Sequence, residues 1–388
     1  MKIIFLSHTS RDSVFKVGSY HLSNEYARMG HQVLYVASSL SPFHFFNVGG
    51  LREPEYRESI KNRLRYVSPQ KDENGVINLT PFVPIPFNKG IFSNPKLAID
   101  RSVTLNGIPK KLKDVEFDQV DLVIQDRPEL FYIKNFIHCN HWIYRPTDDY
   151  SLMSRGPGKE AMQALEKEIC NYANQVIVTS EPLRQVFLER YNVSPSVVRN
   201  GVASSHFQQQ RKIPPEYRGI DKPVILYVGS LDKRFDLDLL LATAKQSPDY
   251  HFVIVGPGGK KAIPSSIDNI SALGPKPFAD VPAYMQHADV GILPLKLIEA
   301  NHARSPMKIY EYGICGLPVV STPLRELEAR EEDFVFFATT PHQFDEQINH
   351  CIRFKQHLAQ KAKRASQDKS WQSKAKQILE LADINAYD

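Results

Sequence analysis

Short, almost wholly apolar runs alternate with amphipathic stretches along most of this chain, and that alternation restricts its fold more than any other feature. "KIIFLS" (2–7) and "HQVLYVAS" (31–38) flank a helical pattern from about Ser19 to Met29 that Gly30 ends, which makes a βαβ unit. "DLVIQD" (121–126), "HWIYRP" (141–146), "QVIVTS" (175–180) and "SVVRNG" (196–201) continue the series, with helical patterns at 159–173 and 181–191. Strands buried on both faces read as continuous apolar runs, so this order predicts a parallel sheet covered by helices on both sides.

A polar, proline-rich stretch at 203–223, "ASSHFQQQRKIPPEYRGIDKP", interrupts the series, and then it restarts. "VILYVGS" (224–230), a helix at about 236–247, "HFVIVGPG" (251–258), "ISALGP" (270–275), a helix at 279–287 and "DVGILPL" (289–295) follow, and then "SPMKIYEYGICGLPVVST" reads as a helix and a buried strand. The expected fold class is α/β, with two Rossmann-like domains at 1–203 and 204–371 whose ligand-binding loops lie at the carboxyl ends of strands. The amphipathic stretch "SWQSKAKQILELADINAYD" is expected as a terminal helix.

Composition excludes more than it selects. A hydrophobic share of 42% and a charged share of 23% are those of an ordinary soluble protein. The net charge of +5 suits anionic ligands or an anionic surface without choosing one, and no nucleic-acid partner is expected. Cys139, Cys170, Cys315 and Cys351 are too far apart for a metal knuckle or a disulfide framework and are expected as reduced thiols, in a cytoplasmic protein. The apolar run at the start is shorter than a signal peptide needs, and no run approaches a membrane span. Residues 40–113 depart from the α/β regularity. They interleave aromatics, prolines and cations, with six Lys or Arg against Asp100 alone between Lys89 and Lys113. This segment is either a decorated surface with a satellite core or a face for peripheral contact with the inner surface of the plasma membrane.

One helix contains a local contradiction. Ser305 suits an N-cap and Pro306 the first helical position, with Met307 next, yet Lys308 then falls in the first turn, where the macrodipole is positive and amides lack partners. A diphosphate resting on the amides of residues 306–308 would make a lysine favourable there. Glu311, on the same helical face, could then accept from ribose hydroxyls; alternatively the two side chains form an intrahelical pair of about 0.2–0.5 kcal/mol.

The ordered set "VILYVGSLDKR", "FVIVGPG", "ALGPKPFADVPAYMQHADVGILPL" and "SPMKIYEYGICGLPVVSTP" resembles the donor domain of the GT-B glycosyltransferases, and "VIVTSEPLRQVFLERY" followed by "VVRNGV" resembles the end of their N-terminal domain. The resemblance implies two domains facing a deep cleft, a nucleotide-diphosphate sugar as donor and a glycan acceptor, expected to be lipid-linked. It implies a diphosphate against Gly229 and Ser230, with Lys233 or Arg234 adding charge, and a base-reading loop at Gly274 and Lys276. It further implies that the helix at 372–388 returns to the N-terminal domain with Trp371 as anchor.

Many retaining members carry a Glu-x7-Glu pattern whose second member matches Glu311, but the first position is Ala303. The chain is instead most similar to the inverting glucuronosyltransferase of xanthan assembly, through "SPMKIYEYGICGLP" and "IYRPTDDYS". That match implies UDP-glucuronate as donor and Asp148 as the base that deprotonates the acceptor, with Asp149 as its understudy; Arg145 would orient Asp148, bind an acidic sugar or serve as an ion-pair partner. "FKVGSYHLSNEYARMG" resembles the loop and first helix lining the cleft, with Lys16, Gly18, Ser19 and His21 near donor or acceptor. A retaining transferase, a sugar-nucleotide epimerase and a non-catalytic binding subunit are the alternatives. No metal or cofactor is expected: "DLD" at 236–238 reads as a helix cap, and His138, Cys139 and His141 lack a second pair of ligands.

Overall fold

A computed structural model describes residues 1–384 apart from 14–15, 48–50, 52–53, 85–105, 154–155 and 265. The chain divides into two units, residues 1–199 with the chain from 375 onward, and residues 200–374.

The first unit holds an eight-stranded sheet. Its strands are β1 (Lys2–Leu6), β2 (Gln32–Val36), β3 (Gln70–Lys71), β4 (Ile77–Leu79), β5 (Gln119–Gln125), β6 (His138–Tyr144), β7 (Gln175–Val178) and β8 (Ser196–Val197), in the order β3-β4-β2-β1-β5-β6-β7-β8. Every pairing is parallel except β3 with β4. Ile3, Ile4, Phe5 and Leu6 are wholly buried, as are Leu122, Val123 and Ile124 of the neighbouring strand, so the continuous apolar runs are the doubly covered centre. β3 and β4 come from the irregular 40–113 segment. The pairing of Leu34 with Ile77 extends the sheet, and Val76 and Leu79 seal its edge. The basic stretch from Lys89 through residue 105 lies outside the described residues.

The second unit is built on six parallel strands: β9 (Val224–Val228), β10 (His251–Val255), β11 (Ile270–Gly274), β12 (Val290–Leu293), β13 (Val319–Ser321) and β14 (Val335–Phe337), ordered β11-β10-β9-β12-β13-β14. The helix Lys308–Cys315 packs on this sheet through Tyr312, whose ring fills the space beside Gly291; a Cβ there would lie 2.9 Å from it. The Tyr312 hydroxyl accepts from the Val228 amide at 2.8 Å, so the helix is fastened to the carboxyl end of β9. Strand order reverses between β1 and β5 in one unit and between β9 and β12 in the other, and such switch points open the crevices where α/β sheets bind ligands.

The terminal helix is Trp371–Leu381. From 375 it belongs to the first unit, held by the Tyr26 hydroxyl donating to the Ala375 carbonyl at 3.0 Å. Trp371 is not its anchor there. The tryptophan belongs to the second unit, 2% exposed, with its amide donating to the Val202 carbonyl at 3.2 Å and its ring against Gly201. A helix that starts in one unit and ends in the other gives its first aromatic residue to the unit it leaves.

Candidate active site

In the second unit three strand-end loops are laced side by side. The Gly229 amide donates to the Val255 carbonyl (3.0 Å), Leu231 to Pro257 (3.0 Å) and Gly256 to Gly274 (2.9 Å). Gly256 has φ of +150°, and a Cβ on it would fall 1.8 Å from the Gly229 carbonyl oxygen, so only glycine allows the loops this close. Gly256, within "FVIVGPG", is not among the expected site residues, which at these loops are Gly229, Ser230 and Gly274. Of the cations assigned to these loops, Lys233 is exposed, while Arg234 lies against Asp232 with Nε 3.1 Å from Oδ2. Lys276 places Nζ 2.5 Å from Glu216 Oε1, and this hydrogen bond raises its pKa, so its charge is already matched. Asp236 of the "DLD" sequence caps its helix, accepting from the Leu239 amide at 3.1 Å.

The expected cap of the next helix needs correction. The helix begins at Lys308, Met307 precedes it, and no side chain caps it, so Ser305 is not the N-cap and Pro306 is not the first helical residue. The reason is tertiary. Ser305 Oγ accepts from Arg330 Nη2 at 2.7 Å and from the Asn200 amide at 3.3 Å, and Asn200 Nδ2 donates to the Ser305 carbonyl at 2.9 Å. Arg330 is held by Glu326 at 3.0 Å, both side chains almost fully buried. With the serine engaged elsewhere, the first-turn amides have no side-chain acceptor and remain available to an anion. Lys308 Nζ lies 2.5 Å from Glu311 Oε2, the lysine partly exposed and the glutamate buried, so the intrahelical pair is what forms here.

In the first unit the strand ends carry a buried ion pair, whose acidic member, Asp126, was not among the expected site residues. Asp126 follows β5 and Arg145 follows β6; their side chains are each 1% exposed and approach to 3.4 Å. Burial pushes the Asp126 carboxyl above its usual range, while Arg145 and Ser19 draw it back. Of the roles open to Arg145, the ion pair is the one seen here. Gly18 and Ser19 form the first turn of the helix Gly18–Arg28, and the Ser19 hydroxyl turns inward to Ser7 Oγ (2.6 Å) and Tyr35 (3.2 Å). His21 is buried with its ring edge-on to Tyr20 at 5.2 Å. Lys16 donates to the Arg11 carbonyl at 2.6 Å and lies 4.5 Å over Tyr20, and burial lowers its pKa.

The two neighbouring aspartates differ sharply. Asp149 is buried, and Arg190 grips both its oxygens at 2.8 Å. Its Oδ1 also accepts from the Ser151 amide (3.1 Å) and hydroxyl (2.7 Å). Burial alone would raise its pKa, but these donors hold it below the usual range. Asp148 is half-buried and receives the Thr147 hydroxyl at 3.2 Å. A carboxylate committed to four donors is a poor proton acceptor, which weighs against Asp149 for that task. Among the described residues no group of His, Cys, Asp and Glu is arranged to hold a metal ion.

Comparisons with known proteins fit this arrangement. Residues 17–206 match a family model described as Glycosyltransferase Family 4, and residues 222–353 match one described as Glycosyl transferases group 1. TuaH of Bacillus subtilis (strain 168), assigned as a glycosyltransferase of teichuronic acid biosynthesis, is 26% identical over 188 residues, 46% of this chain. The match spans about half of that relative, 47% of its length. Sucrose-phosphate synthase (tll1590) from Thermosynechococcus elongatus superposes with a TM-score of 0.69 at 15% identity over 98% of each chain. Anabaena Alr3699/HepE, solved with UDP and glucose, gives 0.66 at 15% identity over 99% of each. At these identities the structural likeness speaks for the fold alone. One model falls on each parallel-sheet unit, together they span most of the sequence, both describe glycosyltransferases, and the fold is that of the GT-B glycosyltransferases.

Proposed function

We propose that this chain is an inverting glycosyltransferase that moves glucuronate from UDP-glucuronate to a lipid-linked glycan in polysaccharide synthesis. The observation that carries the donor reading is the uncapped first turn of the Lys308–Cys315 helix, fastened to the end of β9 where Gly229 and Gly256 bring the loops together. The complexes of Alr3699/HepE with UDP and with UDP-glucose support a uridine donor in this fold, and the assignment of TuaH supports a polysaccharide product.

In the transfer, the acceptor hydroxyl oxygen attacks the anomeric carbon from the face opposite the diphosphate, and its proton passes to Asp148. The bond from the anomeric carbon to the diphosphate oxygen breaks, and its electron pair leaves with UDP. Lys308 gives up Glu311 for the phosphates, and with the helix amides it offsets the charge that develops there, a role that needs no divalent cation. Glu311 then accepts from the ribose hydroxyls.

Asp148→Asn tests this. Turnover with a lipid-linked glycan should fall about 100-fold or more while UDP binding is kept, and EDTA should leave the wild-type rate unchanged. Full turnover in the variant removes Asp148 from the reaction. UDP binding without turnover in the wild type points to a binding subunit, and donor conversion without acceptor to an epimerase.

Membrane contact is part of the same reading. Phe43, Phe45 and Phe46 follow β2, with Phe46 78% exposed, and the helix Pro54–Arg65 exposes Arg57, Lys61, Leu64 and Arg65 along one face. Tyr56 joins the two by donating to the His44 carbonyl at 3.2 Å. Aromatics beside cations suit an anionic bilayer. No helix among the described residues is long and apolar enough to cross one.

A further inference from the structure

A fully buried glutamate lies behind the Asp148 segment without taking part in the chemistry above. Glu166 projects from the helix Pro157–Tyr172 and is 0% exposed. Its Oε1 accepts from the Tyr144 hydroxyl at 2.8 Å and its Oε2 from the Tyr191 hydroxyl at 2.9 Å. Tyr144 is the last residue of β6 and leads directly into 145–151; Tyr191 is the last residue of the helix Glu181–Tyr191 and stands next to Arg190, which grips Asp149. The Asp148 segment is thus held at its start through Tyr144 and at its far side through Arg190, and Glu166 bonds Tyr144 and Tyr191, the neighbour of Arg190. A third tie, from the Thr179 hydroxyl to the Thr147 carbonyl at 3.3 Å, is looser.

We propose that Glu166 is a positioning residue, whose bonds to Tyr144 and Tyr191 set the placement of Asp148. This rests on the reading of Asp148 as the base, but the clamp exists whether or not that reading holds. A carboxyl group with no water to solvate it is the costly part of such a clamp. Burial pushes the Glu166 pKa up to about 7, with Asp149 adding to the rise, and Tyr144, Tyr191 and Arg190 opposing it. Cys170, on the same helix, also faces it. The closed clamp therefore binds a proton more tightly than an opened one, and it holds best below neutrality. A neutral acid still joins both tyrosines, donating to one phenol oxygen and accepting from the other. Glutamine offers the same donor and acceptor; alanine offers neither.

Hydrogen exchange of the 145–152 segment in the full chain tests this, after correction for the intrinsic rates and at about pH 6 and about pH 8. Wild-type protection should fall about tenfold from the lower to the higher pH, because ionisation weakens the closed state. Glu166→Gln should keep protection at both, and Glu166→Ala should lose about tenfold at the lower pH. Tyr191→Phe, which removes one hydroxyl and little volume, should lose an intermediate amount. Protection flat with pH in the wild type, or equal in the alanine and wild-type chains, overturns the proposal. The two readings separate cleanly. An active Asp148→Asn enzyme with the exchange pattern intact rejects the base and keeps the clamp, whereas an inactive one with Glu166→Ala protected as in wild type does the reverse.

Discussion

Adding a single methyl group at Gly256 should damage the donor site more than any surface change. An ideal Cβ there lies 1.8 Å from the Gly229 carbonyl oxygen and 2.6 Å from its carbon, at a φ of +150°. Both atoms are backbone, so no side chain can turn aside, and one loop must retreat by about 1.5 Å to reach ordinary contact. That retreat breaks one or two of the bonds lacing Gly229, Leu231 and Gly256 to their neighbours, at about 1 kcal/mol each, and adds about 1–3 kcal/mol of backbone strain. Gly256→Ala should then lose about 2–5 kcal/mol, which lowers the melting temperature of a unit this size by roughly 5–15 °C. Gly219 provides the control, with a positive φ of +83° but nothing within 4 Å of its Cβ. Gly219→Ala should cost only the conformational part, about 1–2 kcal/mol. Differential scanning calorimetry reads both, and isothermal titration with UDP should show Gly256→Ala weakened and Gly219→Ala unchanged. Equal melting temperatures for the two variants would refute the steric reasoning.

Three further outcomes follow from the same structure. Lys308→Met should weaken UDP binding by about tenfold or more through loss of a charge-assisted contact, with a reduced salt dependence visible in titrations at two ionic strengths. Arg330→Met leaves the buried Glu326 without its guanidinium and frees Ser305, and denaturant unfolding should show a loss of about 3–5 kcal/mol. Glu166 carries a pH signature in global stability: its folded pKa of about 7 lies above the ordinary 4.5, so its contribution is full below 4.5 and is lost as pH rises through about 7. Glu166→Gln should abolish that loss, making the variant more stable at alkaline pH by up to about 3 kcal/mol in urea unfolding.

The sheets were legible because a strand covered on both faces must be apolar throughout, and such runs as Ile3–Leu6 and Val224–Val228 have little else they can be. What escaped was short or decided elsewhere in the chain. β4 contributes three residues, one of them Asn78, and no periodicity survives at that length. Ser305 followed by Pro306 obeys every local rule for a helix start, yet Arg330, distant in sequence, takes the hydroxyl and moves the start to Lys308. The position of Lys308 in the first turn was readable because it depends on local geometry, whereas the ion pair of Asp126 with Arg145 depends on which strands become neighbours. Glu166 left a trace that went unread: it shares a helical stripe with Met162, Ile169 and Cys170, and an acid on an apolar stripe is either misplaced or partnered.

These buried polar groups have a common logic. Asp126 with Arg145, Glu326 with Arg330, and Glu166 with its tyrosines are each expensive to desolvate, and apolar side chains of similar volume would often serve stability as well or better. Apolar contacts, however, tolerate sliding, while a hydrogen bond fixes distance and direction together. Each set ends close to a group assigned to the substrate: Tyr144 and Asp149 flank Asp148, and Ser305 precedes the turn that carries Lys308. Both units thus place such interactions behind the loops assigned to the substrate, and a further largely buried pair, Arg11 with Asp72 at 2.7 Å, lies beside β4, where Asn78 also donates to Asp72. Under the roles proposed for Asp148 and Lys308, placement of those two groups gives a reason for the three sets that lie behind them.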